Sequence, residues 1–199
     1  MHALLVICHP VQDSLSRHLA AVARDAAENA AATVEVLDLP AIDFDPRMRA
    51  EERAGYYADA NAIPDPALAP LARQLQQAEL LILVFPTWWF GFPAILKGWF
   101  DRVWRPGIAF DHSPDLDRLI PRLNRLRQVV AITTMGSPRW IDWLVLRQPL
   151  RRVLRLAILK PCAPQARLHW LVLHQAEVVS PERAARFADR IRTRIARLT

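Results

Sequence analysis

The sequence predicts an α/β fold: a doubly wound sheet of five parallel strands in a three-layer sandwich. Three observations carry that prediction. Five segments have strand length and strand composition, helix-length segments stand between them, and several of the strand segments read as apolar runs, 3–8 and 80–85 without a polar residue, as strands covered on both faces do. A chain of 199 residues accommodates this as one domain, residues 1–199, on a scale of roughly 150 residues per domain.

Taken in order, residues 3–8 (ALLVIC) form a continuous apolar run of strand length, and a loop leads from it into an alanine-rich helical stretch from Ser14 to Ala30. Residues 33–39 (TVEVLDL) alternate as a strand. Residues 40–66, rich in Pro, Asp and Ala, read as a long connection with a helical turn over 51–57. A helix over 67–77 leads into the buried strand LLILVF, 80–85. Residues 93–104 are helical, with Pro93 in the first turn, where a missing N–H costs nothing. QVVAITT (128–134) is the fourth strand. A helical stretch over 140–158, interrupted or kinked at Pro149, then leads to the strand ARLHWLVL (166–173) and a terminal helix over 181–198.

Composition removes several classes. Hydrophobic residues make up 52% of the chain and charged residues 23%, which excludes a disordered or fibrous protein. The five glycines, at 55, 91, 98, 107 and 136, never fall into the two commonest nucleotide-binding fingerprints. Cys8 and Cys162 form neither a disulfide framework nor a metal-ligand spacing, so no metal is expected and a reducing compartment fits. The apolar start has no preceding Lys or Arg, so a secretory leader is not expected and the chain reads as cytoplasmic. Residues 80–96 carry no charge over 17 positions, close to the ~20 that a spanning helix needs. Pro86, Gly91 and Pro93 divide that stretch into strand, loop and helix.

The formal net charge is +6, and 24 of the 26 cations are arginines. Residues 1–100 hold 7 cations against 12 anions, residues 101–199 hold 19 against 8. A basic half suits nucleic acid, an anionic membrane or a phosphorylated ligand, or is simply a solvated arginine-rich face. No recognition motif accompanies the charge, and nucleic acid is not an expected partner.

In doubly wound sheets ligands bind beyond the carboxyl ends of the strands, where the winding reverses. That selects loops 9–16, 86–92 and 135–139. The first opens a helix, whose free N–H groups attract an anion; Ser14 and Ser16 add hydroxyls, although Ser14 serves equally as a plain helix cap. The second places Trp88, Trp89 and Phe90 directly after a buried strand. So much aromatic surface in a loop points to a flat ligand or a second subunit, with core packing as the alternative.

Residues 85–104, FPTWWFGFPAILKGWFDRVW, resemble the signature of the NAD(P)H:quinone oxidoreductases of flavodoxin-like fold, the quinone reductase and modulator-of-drug-activity group. His9 with Ser14 and Ser16 resembles that family's H-x4-S-x-N phosphate loop. Thr133-Thr134-Met135-Gly136-Ser137-Pro138 resembles its T-T-G-G flavin loop. The resemblance implies a flavin, FAD or FMN, with its phosphates at His9, Ser14, Leu15 and Ser16. Its ring would lie between Pro86, Thr87, Trp88, Trp89 and Phe90 on one side and Thr133, Thr134, Gly136 and Ser137 on the other, with main-chain N–H groups at 89–90 and 136–137 facing its polar edge. It also implies NAD(P)H as co-substrate, a quinone-like acceptor served in a ping-pong cycle, and a homodimer.

Three departures stand out. Ser16 occupies a position where the family has Asn, and Met135 replaces the first loop glycine, which narrows the room above the ring. Trp140 sits near the place of the family's Tyr, and no histidine occurs between His112 and His169. No protein acid or base is therefore assigned, and His169 and His174 read as structural. Arg139, adjoining the flavin loop, is the candidate for a phosphate of the nicotinamide cofactor. Residues 140–160 have the composition of an interfacial helix, but burial against the sheet or a second subunit is the preferred reading over membrane docking. A regulatory subunit docking on a transporter or an anionic membrane is the rival function. A one-electron carrier fits poorly with a sequence pI of 10.3.

Overall fold

The computed structural model describes residues 1–57, 65–115 and 117–198. Strands β1 (His2–Ile7), β2 (Thr33–Asp38), β3 (Leu80–Pro86), β6 (Gln128–Met135) and β7 (Arg167–His174) form one parallel sheet in the order β2-β1-β3-β6-β7. Two short strands, β4 (Phe110–His112) and β5 (Leu119–Pro121), make a separate antiparallel ribbon in a stretch that the sequence left unassigned. Part of the expected 40–66 connection, residues 58–64, lies outside the described residues.

β3 is buried along its whole length. Leu81, Leu83 and Phe85 enter one core with α3 (Leu68–Gln77) and α4 (Ala94–Val103). Leu80, Ile82 and Val84 enter the other with α1 (Leu15–Asn29) and α7 (Pro181–Ala196). Small residues let α1 approach closely: Ala20, Ala23, Ala26 and Ala27 are all buried on the sheet side. Ser14 and Ser180 cap α1 and α7, accepting hydrogen bonds from the Arg17 and Arg183 N–H groups at 3.3 Å each. The charge-free stretch 80–96 is thus a strand, a loop and the first turn of α4. No helix among the described residues is long and apolar enough to cross a membrane.

The interruption expected at Pro149 in the 140–158 helical stretch is present. Residues 141–145 make a π-helical turn, Arg147 and Gln148 take left-handed backbone with φ of 55° and 53°, and α5 (Pro149–Arg152) restarts the helix. Pro149 disfavours right-handed helix in the residue before it, so the chain turns there. A second π-helical segment, 153–159, then runs into α6 (Lys160–Cys162).

The connection after β2 contains the short helix α2 (Ala50–Ala54) and is fastened to α4 by one buried guanidinium. Arg102 donates to Glu52 at 3.0 Å, to Asp65 at 2.8 Å and to the Asp45 carbonyl at 2.6 Å. Its side chain is 3% exposed and that of Glu52 7%. On the same helix, a Cβ at Gly98 would meet the Pro46 carbonyl oxygen at 2.3 Å and Pro46 Cα at 2.4 Å. Only a glycine lets the two backbones approach this closely.

Gly98→Ala is therefore expected to lose about 2 kcal/mol or more in denaturant unfolding, the cost of overpacking. Alanine otherwise gains about 1 kcal/mol over glycine within a helix, so the sign itself reports the clash. Acid should loosen the same region. Hydrogen bonds from Arg47 hold Asp45 down to about 2, and Asp65 is lowered by the Ala67 N–H and then by Arg102. Groups depressed in the folded state stabilise it fully above their unfolded value of about 3.9. Thermal midpoints should hold above that pH and fall as it drops toward about 2.

Candidate functional site

The loops after β1, β3 and β6 emerge side by side, because these strands are neighbours in the sheet. Side chains and backbone tie them together. Thr87 Oγ1 lies 2.7 Å from Thr133 Oγ1, the Thr87 N–H donates to the Thr134 carbonyl at 2.8 Å, and Ser16 Oγ stands 3.4 Å from Thr134 Oγ1. The rings of His9 and Trp88 meet edge to face with centroids 6.4 Å apart.

At the start of α1, the N–H groups of Leu15 and Ser16 belong to the first turn, which a helix leaves unbonded. Arg17 donates to the His9 carbonyl at 3.1 Å and grips both oxygens of Asp38, at 2.5 and 3.0 Å. The Asp38 charge is thereby neutralised beside the helix start. Cys8, fully buried at the end of β1, has its thiol pushed well above its ordinary value by burial and then by Asp38. It is a neutral packing group.

The aromatic loop is a tight turn. The Gly91 N–H donates to the Trp88 carbonyl at 2.9 Å, with Trp89 at φ 49° and Phe90 at φ 56°. Two consecutive left-handed residues define a type I′ turn, normally built from Asn and Gly. A Trp and a Phe there store roughly 1–2 kcal/mol each. Trp89 is 99% exposed. No packing within the chain recovers that cost, which is the pattern of strain kept at a functional loop.

The residues expected from sequence fall into three groups. His9, Ser14, Leu15, Ser16, Pro86, Thr87, Trp88, Trp89, Phe90, Thr134, Gly136 and Ser137 all lie on the three adjoining loops or the strand ends that carry them. Thr133 is fully buried and its hydroxyl is committed to Thr87, so it fastens the loops from beneath. Arg139 stands apart, its guanidinium 4.5 Å over the Trp143 ring, among the residues of a different cavity. Met135, expected to narrow the space above a ring, is buried at the end of β6. An exposed methionine does not cap the loop, because strand alternation turns this side chain inward.

Sequence reasoning missed the end of β7. Register places His174 opposite Met135, so the following residues adjoin the Gly136 loop. The Gln175 N–H donates to the Ser137 carbonyl at 3.2 Å, and a Cβ on Gly136 would meet Glu177 Oε1 at 3.0 Å. His174 Nε2 lies 3.1 Å from Asp142 Oδ2, both side chains buried. Strand adjacency was the available signal, since sequential strands in doubly wound folds tend to pair.

The donors left over have the chemistry of a polar, flat ligand. The N–H groups of Trp89, Phe90, Gly136 and Ser137 take no hydrogen-bond partner among the described residues, and Ser137 Oγ is buried without one. The chain belongs to the family described as flavodoxin-like fold, whose model matches residues 1–193. It is 34% identical over 149 residues to NAD(P)H dehydrogenase (quinone) 1 of Cavia porcellus, covering 68% of this chain and 54% of that protein. The chain thus spans about half the length of that relative. Among solved structures, the NAD(P)H:quinone oxidoreductase from Methanothermobacter marburgensis superposes with a TM-score of 0.85 at 22% identity, over 100% of this chain and 96% of that one. An FMN-dependent NADH-azoreductase from Bacillus anthracis, in complex with FMN, gives 0.78 at 15% identity, over 99% and 98%. These two likenesses bear on the fold.

Trp89→Gly removes the left-handed cost of a side chain that touches nothing in the chain. Chemical denaturation of the flavin-free protein should show its stability unchanged or raised by up to about 1 kcal/mol. A loss instead would make Trp89 a structural residue.

Proposed function

We propose that the protein is a flavin-dependent NAD(P)H oxidoreductase that passes two electrons from a reduced nicotinamide to a quinone or similar electrophile. The observation that carries this reading is the set of four main-chain N–H groups on two adjoining loops that have no partner among the described residues, beside a helix start where Arg17 neutralises Asp38. Flavin, when bound, supplies the two-electron chemistry, and the protein supplies position and electrostatics.

The roles of the residues follow from their placement. Leu15 and Ser16 offer N–H groups, and Ser14 and Ser16 hydroxyls, to the cofactor phosphate. Trp89, Phe90, Gly136 and Ser137 offer N–H groups to the polar edge of its ring, and Trp88 and Trp89 offer faces for stacking. Thr87 and Thr133 hold the two loops at a fixed spacing. The co-substrates take turns on one exposed face, which gives a ping-pong order. FMN is the first flavin to test, being the one held by the Bacillus anthracis azoreductase of the same fold. Exposed apolar side chains at Trp140, Trp143, Leu144 and Val145 support a homodimer.

Purified protein should take up FMN or FAD stoichiometrically and then oxidise NADH or NADPH with benzoquinone, giving parallel double-reciprocal lines. Ser14→Ala should cost the flavin-free chain about 1 kcal/mol as a lost cap. Its flavin affinity should fall roughly tenfold or more, because a hydrogen bond to a charged phosphate is worth about 1.5–3 kcal/mol. A protein that binds neither flavin sinks the proposal. A loss confined to unfolding reduces Ser14 to a cap.

A further inference from the structure

Beside the flavin loop, on the outer side of β7, lies a cavity of about 550 Å³. Its rim is basic. Arg183, Arg186 and Arg190 come from α7, and Arg139 comes from the opposite wall. Spacings of three and four residues put the three helix arginines on one stripe, next to the buried Phe187 that anchors the helix.

These charges are placed, and little opposes them. Arg183 donates to the His174 carbonyl at 2.7 Å, a contact that leaves its other N–H groups available. The Arg139 and Arg190 guanidinium groups lie 4.5 and 5.5 Å from the Trp143 and Phe187 ring centroids. Among the described residues no salt bridge joins any of the four arginines to a carboxylate. The neighbouring acids are otherwise engaged: Asp142 faces His174 and Asp189 pairs with Arg192. Two further acids lie on that side: Glu177, set against Gly136, and the exposed Glu182, one turn before Arg186, whose carboxyl takes a hydrogen bond from Ser180 and feels the Arg186 charge. Four like charges around one concavity repel each other unless an anion joins them. Planar guanidinium forks suit the paired oxygens of phosphate.

We propose that this cavity is a phosphate-binding site, taking a group of two or more negative charges. Its source is either the nicotinamide dinucleotide at the adjoining loop or a separate phosphorylated molecule. Only the first source rests on the oxidoreductase reading.

The probe is inorganic pyrophosphate, titrated by calorimetry at low salt into the flavin-loaded protein, in which the α1 helix start is filled. Saturable binding is expected, weakened at least tenfold in R186Q/R190Q and weakened again in Arg139→Gln on the other wall. Circular dichroism and melting midpoints matching the parent show that the variants fold. If pyrophosphate then competes with NADPH, the phosphate is the dinucleotide's. If it binds without competing, the ligand is a separate phosphorylated molecule. Absence of saturable binding, or equal affinity in the folded R186Q/R190Q variant, overturns the proposal. Should the chain take up no flavin, the same titration on unloaded Ser14→Ala protein, with the α1 site weakened, still decides it.

Discussion

The burial of β3 on both faces is the constraint on which the rest of this molecule depends. A central strand with no wet face must alternate its side chains between two cores, and Leu80–Pro86 does so without a polar interruption. Covering both faces demands helical crossovers, and crossovers make the neighbouring strands parallel. Parallel strands bring all their carboxyl ends to one edge of the sheet. The three loops of the site converge there because the core leaves them nowhere else to go. The hydroxyls of Thr87 and Thr133 then set the distance between two of these loops at the last point where the sheet still controls it.

Charge is distributed to serve the same arrangement. The acidic half of the chain spends its carboxylates locally: Asp38 on Arg17, Glu52 and Asp65 on Arg102. The first pair takes the Asp38 charge out of opposition to an anion at the α1 helix start. The second fastens the connection after β2 to α4, where removing one partner of so buried a pair would typically cost about 3–5 kcal/mol. The basic half keeps much of its charge unspent, and Arg186 and Arg190 of α7, which form no salt bridge among the described residues, are the clearest case.

Much of this was legible in the sequence. Apolar runs such as 3–8 and 80–85, with the alternation over 33–39, gave away the strands of the central sheet, and the resemblance over residues 85–104 marked the aromatic loop. Less legible features share a physical cause: they depend on which strands become neighbours. Nothing local to His174 or Glu177 reveals that register sets them beside Gly136. Arg139 was singled out for a nicotinamide phosphate because it adjoins the Gly136 loop in sequence, and its side chain lies on Trp143, at the wall of the neighbouring basic cavity. The interruption at Pro149 in the 140–158 stretch was legible from the proline; the left-handed pair before it and the π-helical segments on either side were not. The ribbon of β4 and β5 gave no signal, since three-residue strands are too short for a period to show.

Among the described residues the outer edge of β7 ends the sheet without a further strand, leaving a row of main-chain donors and acceptors of the kind that invites another chain to zip on. Arg167 begins this strand, Arg194 stands beside His169 on it, and Arg183 reaches its final residue. A second copy approaching edge to edge would bring the same cations face to face with these. Repulsion would meet it before any backbone pairing formed, so the basic stripe also guards the protein against strand-to-strand aggregation.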